Sequence, residues 1–596
     1  MRPSTRHQLL ITAIGLIVFF VNLGATRLWD QDEAYFARTA VEMHQHQEWV
    51  VPYFNGEVFA HKPPLMFWMM RIGFLLFGVN EFAARFWSAA SSLATALLLY
   101  RLGRRMFNAE VGLWSAVAIC TAMMFDVVAR AATPDSFLVF FSALAIYLFA
   151  RHEDWNNEPE KTCATAADRP LSSRAWVAIY AVMGLAVLVK GPIGVLLPGS
   201  TIGLYLLLRN PIESRGPQID DRFVLFVRRF SPARIASAIW SMRPLTAIAT
   251  ILAVSGPWFA LVGWRTGGQF LSEFFDTQNY GRFFNAMDHH SGGIWYYIPA
   301  ILAGYFPWSI FAIPTAVDLT RRCRGKESWQ RGAKFLASWI AVWVGFFSLA
   351  STKLPNYVLP AYPALALATG CLIERWAGQG AARPMMPRLS FGSLIAVGCA
   401  IVIGAAVMAH RTSSGVPLLE RLGVTPDLAG DLPLIGFLGV ILVTGGAISM
   451  TFIERRRHQT AMLALAATAV LFCTATLGIA AVRVDRLQPT PDIAAAIREH
   501  VTEQPQIAQF GYFRPSLVYY ADARVEACKT PQRTAEFLAA ADSFVVTTED
   551  NYARLAAQLP PEIAVLKRQA DFPRGQCVVL LGHKTELAKA SGSATK

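Results

Sequence analysis

About thirteen apolar stretches, separated by short polar connections, run through the first 484 positions. They are Leu9–Ala25, Phe86–Tyr100, Val111–Phe125, Phe137–Ala150, Trp176–Val189, Ile193–Leu208, Leu245–Gly263, Ile294–Val317, Phe335–Ala350, Tyr357–Ile373, Leu389–Ala409, Leu432–Ile453 and Ala461–Val482. A helix of roughly 17–25 apolar residues crosses a bilayer, so the pattern predicts a polytopic all-α membrane bundle. A further stretch, Leu65–Val79, is apolar but short and interrupted by Arg71. Counted as a span it would invert every later connection.

Charge decides how to read it. With Leu65–Val79 lying in the interface, 28 of the 54 Lys and Arg fall in the amino terminus and the inner connections, 12 in the outer ones and 14 in the tail. Cationic residues collect on the cytoplasmic side of membrane proteins, so this reading puts the amino terminus inside and the tail outside the cytoplasm. The first outer loop is then 26–85 and a later one 264–293. Leu9–Ala25 reads as an uncleaved span, being long for a signal sequence.

The pattern changes near Asp485. Segments Gln506–Gly511, Arg524–Ala527, Ser543–Thr548, Ile563–Ala570 and Cys577–Gly582 have strand character, with helical stretches at Thr534–Ala541 and Asn551–Leu559. Residues 1–484 are therefore expected to form the membrane domain and 485–596 a small extracytoplasmic α/β domain.

With 54% hydrophobic and 16% charged residues the composition is that of a membrane protein. The formal charge of +13 is mostly the sidedness signal, because the basic residues are scattered and form no single stripe, which argues against nucleic acid as a partner. No P-loop and no G-x-G-x-x-G between a strand and a helix occurs in the inner connections, so a soluble nucleotide donor is disfavoured. Of the eight cysteines, Cys120, Cys371, Cys399 and Cys473 lie in or at the ends of apolar stretches, and Cys163 and Cys323 in inner connections. Cys528 and Cys577 share the exported domain and could pair.

Ionisable groups gather at the outer ends of the spans. Asp32 and Glu33 follow the first stretch, and Asp135 opens the fourth. Lys62 lies in the first outer loop, Lys190 and Lys353 in turns between spans, and Arg282 in the 264–293 loop, which also carries Glu273. Adjacent carboxylates diverge by about 100° on a helix, so Asp32 and Glu33 should do different work. One could take a proton from an acceptor hydroxyl while the other holds a loop or a metal. The lysines suit a phosphate leaving group. No cofactor is demanded by a motif. His61 with His289 or His290 could hold a divalent metal beside a carboxylate, the plainer reading being surface histidines.

The strings Asp32-Glu33-Ala34-Tyr35, Lys62-Pro63-Pro64-Leu65, Gly184 through Lys190-Gly191-Pro192, Phe270-Leu271-x-Glu273-Phe274-Phe275 with Arg282-Phe283, and Lys353-Leu354-Pro355-Asn356-Tyr357 resemble the lipid A aminoarabinose transferases. More broadly they resemble the protein mannosyltransferase-like branch of the GT-C glycosyltransferases. The likeness runs in order from Leu9 to Ile373. It implies an inner-membrane enzyme that takes a sugar from a polyprenyl phosphate on the outer face and transfers it, with inversion, to a lipid A-like glycolipid, a polysaccharide or a protein. Asp32 matches the catalytic carboxylate, Asp135 the second acidic position and Lys62 a phosphate contact, and the family also carries an α/β tail. Two positions depart from the aminoarabinose transferases, which usually have Arg at Tyr35 and Glu at His61. The alternatives of another class are a transporter or flippase of a lipid-linked sugar, whose site would lie near mid-membrane, and a non-catalytic membrane scaffold.

Overall fold

A computed structural model describes residues 3–30, 32–155, 171–209, 222–285, 291–325, 329–379, 385–413, 430–500, 505–540, 542–571 and 576–584. His289, His290 and Cys163 lie outside the described residues. Each of the thirteen apolar stretches falls on a helix or a bent pair of helices. The first nine helices are α1 (Pro3–Gly15), α2 (Asp32–Gln45), α3 (Leu65–Phe77), α4 (Glu81–Met106), α5 (Ala109–Cys120), α6 (Met123–Ala129), α7 (Asp135–Ala150), α8 (Ser173–Lys190) and α9 (Ile193–Arg209).

Eight helices among the described residues are long and apolar enough to cross a membrane, or up to ten if each bent pair is one span. The protein is thus a multi-pass membrane protein. The shortfall from thirteen has a geometric cause. α5 and α6 meet at 67°, and Tyr297–Gly304 meets Trp308–Arg324 at 120°. α7 and α9 are apolar but shorter, and α1 with its π-helical continuation Leu16–Phe20 opens on polar residues, Arg6, His7 and Gln8 among them. Asp126, buried in α6 just past the bend, is an exception to the gathering of ionisable groups at helix ends.

α3 spans thirteen residues, about 20 Å at 1.5 Å per residue, which falls short of a ~30 Å hydrocarbon layer. It packs against α2 and α4 and buries Arg71, whose guanidinium lies 3.8 Å from the Trp49 ring and donates to the Glu48 carbonyl. Leu75, Leu76 and Phe77 at its far end are exposed.

Between α2 and α3 the chain makes a short hairpin, β1 (Tyr53–Phe54) with β2 (Glu57–Val58). Asn55 and Gly56 at its tip both have positive φ, the backbone that an Asn-Gly pair adopts most easily. The Glu42 carboxylate accepts the tip's two amides, from Asn55 at 2.8 Å and Gly56 at 3.2 Å.

The carboxy-terminal sheet has the order β4-β3-β5-β7-β6, with β3 (Gln506–Phe510), β4 (Val525–Cys528), β5 (Ser543–Thr548), β6 (Ile563–Asp571) and β7 (Gln576–His583). All five expected strands are present within about two residues of their expected ends. β3 is parallel to β4 and β5, whereas β7 is antiparallel to β5 and β6. Cys528 and Cys577 do not pair. β3 and β5 stand between their strands, so three inter-strand steps of about 4.8 Å separate them, well beyond disulfide reach.

The sheet is docked on the first loop. Asn55 exchanges two hydrogen bonds with Val525 of the edge strand β4, at 2.9 and 2.8 Å, closing an edge that would otherwise be unpaired. Arg38 of α2 pairs with Asp522, and Arg27 with Asp492 at 3.0 Å.

Candidate active site

Five of the expected charged residues, Asp32, Lys62, Asp135, Lys190 and Arg282, meet at one cavity of about 500 Å³, which His61 also lines. They come from parts of the chain up to 250 positions apart. Phe274, Phe283, Phe346 and Phe347 supply much of the remaining wall, so the cavity combines a charged end with an apolar one.

Asp32 and Asp135 each open a helix, α2 and α7, where the partial positive charge of the helix start favours a carboxylate. Asp135 is buried and doubly held. Lys190 pairs with its Oδ1, and Asn356 Nδ2 donates to its Oδ2 at 3.0 Å. Asp32 faces open space but is crowded by protein on its other sides. Burial and the neighbouring Asp135 raise its pKa above the ordinary aspartate value, with Lys62, Lys190 and Arg282 pulling the other way. A carboxylate with a raised pKa is a better proton acceptor.

Lys62 is half-buried. Loss of water, with Lys190 and Arg282 repelling it, lowers its pKa to about 7 despite Asp32 and Asp135. Lys190 ends α8, and its Nζ lies 5.2 Å from the centre of the Tyr357 ring. Gly191 turns the chain there with φ +74°, and a Cβ at that position would stand 2.7 Å from the Phe274 ring. Glycine is needed on both counts.

Arg282 is placed by its backbone. Its carbonyl accepts from Thr352 N at 3.3 Å, the Phe283 carbonyl accepts from Ser351 N at 2.9 Å, and Thr352 Oγ1 donates to the Asn285 carbonyl at 2.9 Å. The two loops thereby zip together, and Arg282 Nη1 reaches the Tyr357 hydroxyl at 3.4 Å.

Two expected residues stand elsewhere. Glu33 turns away from the cavity and forms a two-point ion pair with Arg85, both contacts at 2.8 Å, while accepting the amides of Ala132 at 2.7 Å and Trp29 at 3.0 Å. Burial works against its charge, but Arg85 and these hydrogen bonds prevail and hold its pKa below the usual glutamate value. Glu33 and Arg85 line a neighbouring cavity of about 410 Å³ that meets the first at Asp32. Lys353 is buried with its ammonium on the last carbonyls of helix Gln330–Leu349 and its exit, those of Phe347, Ser348 and Ala350 at 3.3, 2.9 and 2.6 Å. It closes that helix end and is not among the cavity's lining residues.

His61 lies 4.2 Å, ring to ring, from Phe59, within an aromatic group that includes Tyr35. Among the described residues no three His, Cys, Asp or Glu side chains come together as a metal shell. Asn356 and Tyr357 were not expected in the site. Both stand in the string that drew attention to Lys353, but a neutral side chain gives no charge signal.

Residues 61–233 match the family model described as dolichyl-phosphate-mannose-protein mannosyltransferase. An undecaprenyl phosphate-alpha-4-amino-4-deoxy-L-arabinose arabinosyl transferase of Erwinia tasmaniensis is 27% identical over 430 residues, covering 72% of this chain and 69% of that protein. A second such transferase, from Sodalis glossinidius, is 27% identical over 475 residues, covering 75% and 78%. ArnT from Cupriavidus metallidurans, solved bound to undecaprenyl phosphate, matches with a TM-score of 0.74 at 22% identity over 97% of this chain and 98% of that one. The fold is that of ArnT. The resemblance to aminoarabinose and mannosyl transferases of GT-C type therefore holds, and the ArnT fold extends past Ile373, where the motifs end, through the carboxy-terminal sheet.

Proposed function

We propose that the protein is a glycosyltransferase that moves a sugar from a polyprenyl phosphate to an envelope acceptor at this cavity. The observation that carries the reading is the convergence of two carboxylates and three cations on a chamber whose other wall is phenylalanine. An isoprenoid phosphate has the same division into anion and hydrocarbon. The similar transferases are named for undecaprenyl phosphate donors.

In this reading Lys62, Lys190 and Arg282 hold the donor phosphate and Asp32 faces the acceptor. Asp32 accepts the acceptor hydroxyl's proton as its oxygen forms a bond to the anomeric carbon. The bond from that carbon to the phosphate oxygen breaks on the opposite side, and its electron pair leaves with the polyprenyl phosphate, so configuration inverts. The cations meet the charge that develops on the leaving phosphate. Asp135 keeps Lys190 aimed, and Glu33 fixes the start of α2 through Arg85. A transporter is less well supported, since it would place its site on broken helices near mid-membrane and these groups lie at helix ends.

The count of basic residues supports an inside amino terminus and an outside tail in the cytoplasmic membrane. A cysteine placed at Ser591 in a cysteine-free background should react with a membrane-impermeant thiol reagent in intact cells. Labelling only after lysis would reverse the sidedness. For the donor, purified protein should bind undecaprenyl phosphate, and Lys62→Met and Lys190→Met should each weaken it about tenfold or more, the scale of a lost charge-assisted contact. Wild-type affinity in both variants would place the phosphate elsewhere.

A further inference from the structure

A separate cavity of about 590 Å³ lies at the other end of α4 and α7 from the charged chamber. α7 opens on Asp135 and runs 16 residues to Ala150, about 24 Å at 1.5 Å per residue, so its far end is most of a hydrocarbon layer away from that chamber. Arg101, Arg104 and Arg105 from the end of α4 and Arg151 at the exit of α7 line the cavity, together with Gln8 of α1, Phe107 and Tyr147. No acidic side chain lines it among the described residues.

A cation at a helix carboxy terminus complements the helix dipole, and that accounts for an arginine or two at each end. It does not account for four around one hollow, where like charges repel. None of the four forms an ion pair among the described residues. Arg105 donates only to neutral backbone, the carbonyls of Arg151 at 3.3 Å and Glu153 at 3.5 Å. The Glu153 carboxylate is already taken by Arg209 at 2.8 Å and the Tyr205 hydroxyl at 3.1 Å. The field extends to His152, whose pKa is lowered from the ordinary histidine value by loss of water and then by Arg151 and Arg105. Guanidinium groups facing a shared hollow without a counter-charge are suited to phosphate oxygens.

The surroundings distinguish a lipid phosphate from a soluble one. α1 runs from this face into the membrane, and the two residues after Gln8, Leu9 and Leu10, are exposed by 54% and 48%. Tyr147, half-buried on the cavity wall, is of the type that collects at headgroup depth. An anion with acyl chains would use both the hollow and the exposed leucines, whereas a free phosphate would use the hollow alone.

We propose that this cavity binds the phosphodiester headgroup of an anionic phospholipid from the leaflet opposite the charged chamber, with the acyl chains along α1. Basic pockets between helix ends hold such headgroups in other membrane proteins.

The test titrates full-length protein in detergent with dioleoylphosphatidylglycerol, with dioleoylphosphatidylcholine and with the chain-free headgroup glycerophosphoglycerol, counting bound molecules by native mass spectrometry. Phosphatidylglycerol should be retained in preference to phosphatidylcholine. The double variant Arg101→Gln/Arg104→Gln, and separately Arg151→Gln, should each weaken it about fivefold or more, the scale of a lost basic contact to an anionic headgroup. Melting temperature in lipid-free detergent reports that each variant is folded, and Arg151→Gln carries the test if the double variant is not. Arg455→Gln/Arg457→Gln, two exposed arginines in another connection, should leave the affinity within about twofold. Equal retention of phosphatidylcholine, unchanged affinity in the folded pocket variants, or an equal loss in the Arg455/Arg457 pair would reduce the effect to diffuse surface charge and overturn the proposal. Glycerophosphoglycerol binding as tightly as the lipid would overturn the lipid assignment in favour of a soluble phosphodiester.

Discussion

Lys190 and Asp135, 55 residues apart in sequence, form an ion pair at the junction of α8 and α7 on the cavity wall. A buried pair of this kind contributes less through its own strength than through what its loss leaves uncompensated. Asp135→Asn and Lys190→Met should therefore be strongly non-additive. In a double-mutant cycle on undecaprenyl phosphate affinity the coupling should be about 0.5–3 kcal/mol. A coupling of zero would mean that Asp135 does not position Lys190.

On the proposed reading Glu33 serves the scaffold through its pair with Arg85, and stability separates that role from the one proposed for Asp32. Arg85→Met strands a buried carboxylate and should cost about 3–5 kcal/mol. Glu33→Gln keeps a hydrogen-bonding oxygen, although it still leaves Arg85 without its counter-charge. Thermal unfolding of the purified protein should show a clear loss in both variants. If either melts like the wild type, the pair is not what holds the start of α2.

Lys62 gives the site a pH signature. Its pKa, lowered to about 7, makes it cationic below that pH and neutral above it. Phosphate binding favours the cation, so undecaprenyl phosphate affinity should rise as pH falls from about 8 to 6. Asp32, Asp135, Lys190, Arg282 and His61 surround or adjoin it. The slope should persist in His61→Asn and flatten in Lys62→Met. A slope lost with His61 instead would assign it to the imidazole.

The membrane helices were readable because a lipid-facing helix must carry a long apolar run, and the five strands because their alternating and buried patterns are local. The bends at α5–α6 and near Pro307 were not, since apolar content continues through them. Within the site, Asp32, Asp135 and Lys190 stand out as charges at or near the ends of apolar runs, and Lys62 and Arg282 as cations in outer loops. Glu33 has the same local signature as Asp32. Distant partners, Arg85, 52 residues on, and the Ala132 amide, tell the two apart.

Lys353 shows how a charge at the right end of a span can serve the fold. Lys353→Met removes the donor to three carbonyls and should lower stability by about 1.5–3 kcal/mol, the range for hydrogen bonds to a charged group. Undecaprenyl phosphate affinity should stay within about twofold. A selective loss of donor affinity with normal thermal stability would return Lys353 to the phosphate site.

Sugar transfer by Asp32→Asn tests the central claim most directly. The substitution keeps the shape of the side chain and removes its basicity. Transfer from a polyprenyl-phosphate sugar should fall by ~10²–10⁴, the usual contribution of a positioned general base. Undecaprenyl phosphate should bind at least as tightly as to the wild type, because a carboxylate near the cations has been neutralised. Near-normal transfer by this variant would contradict the assignment of Asp32 as the base.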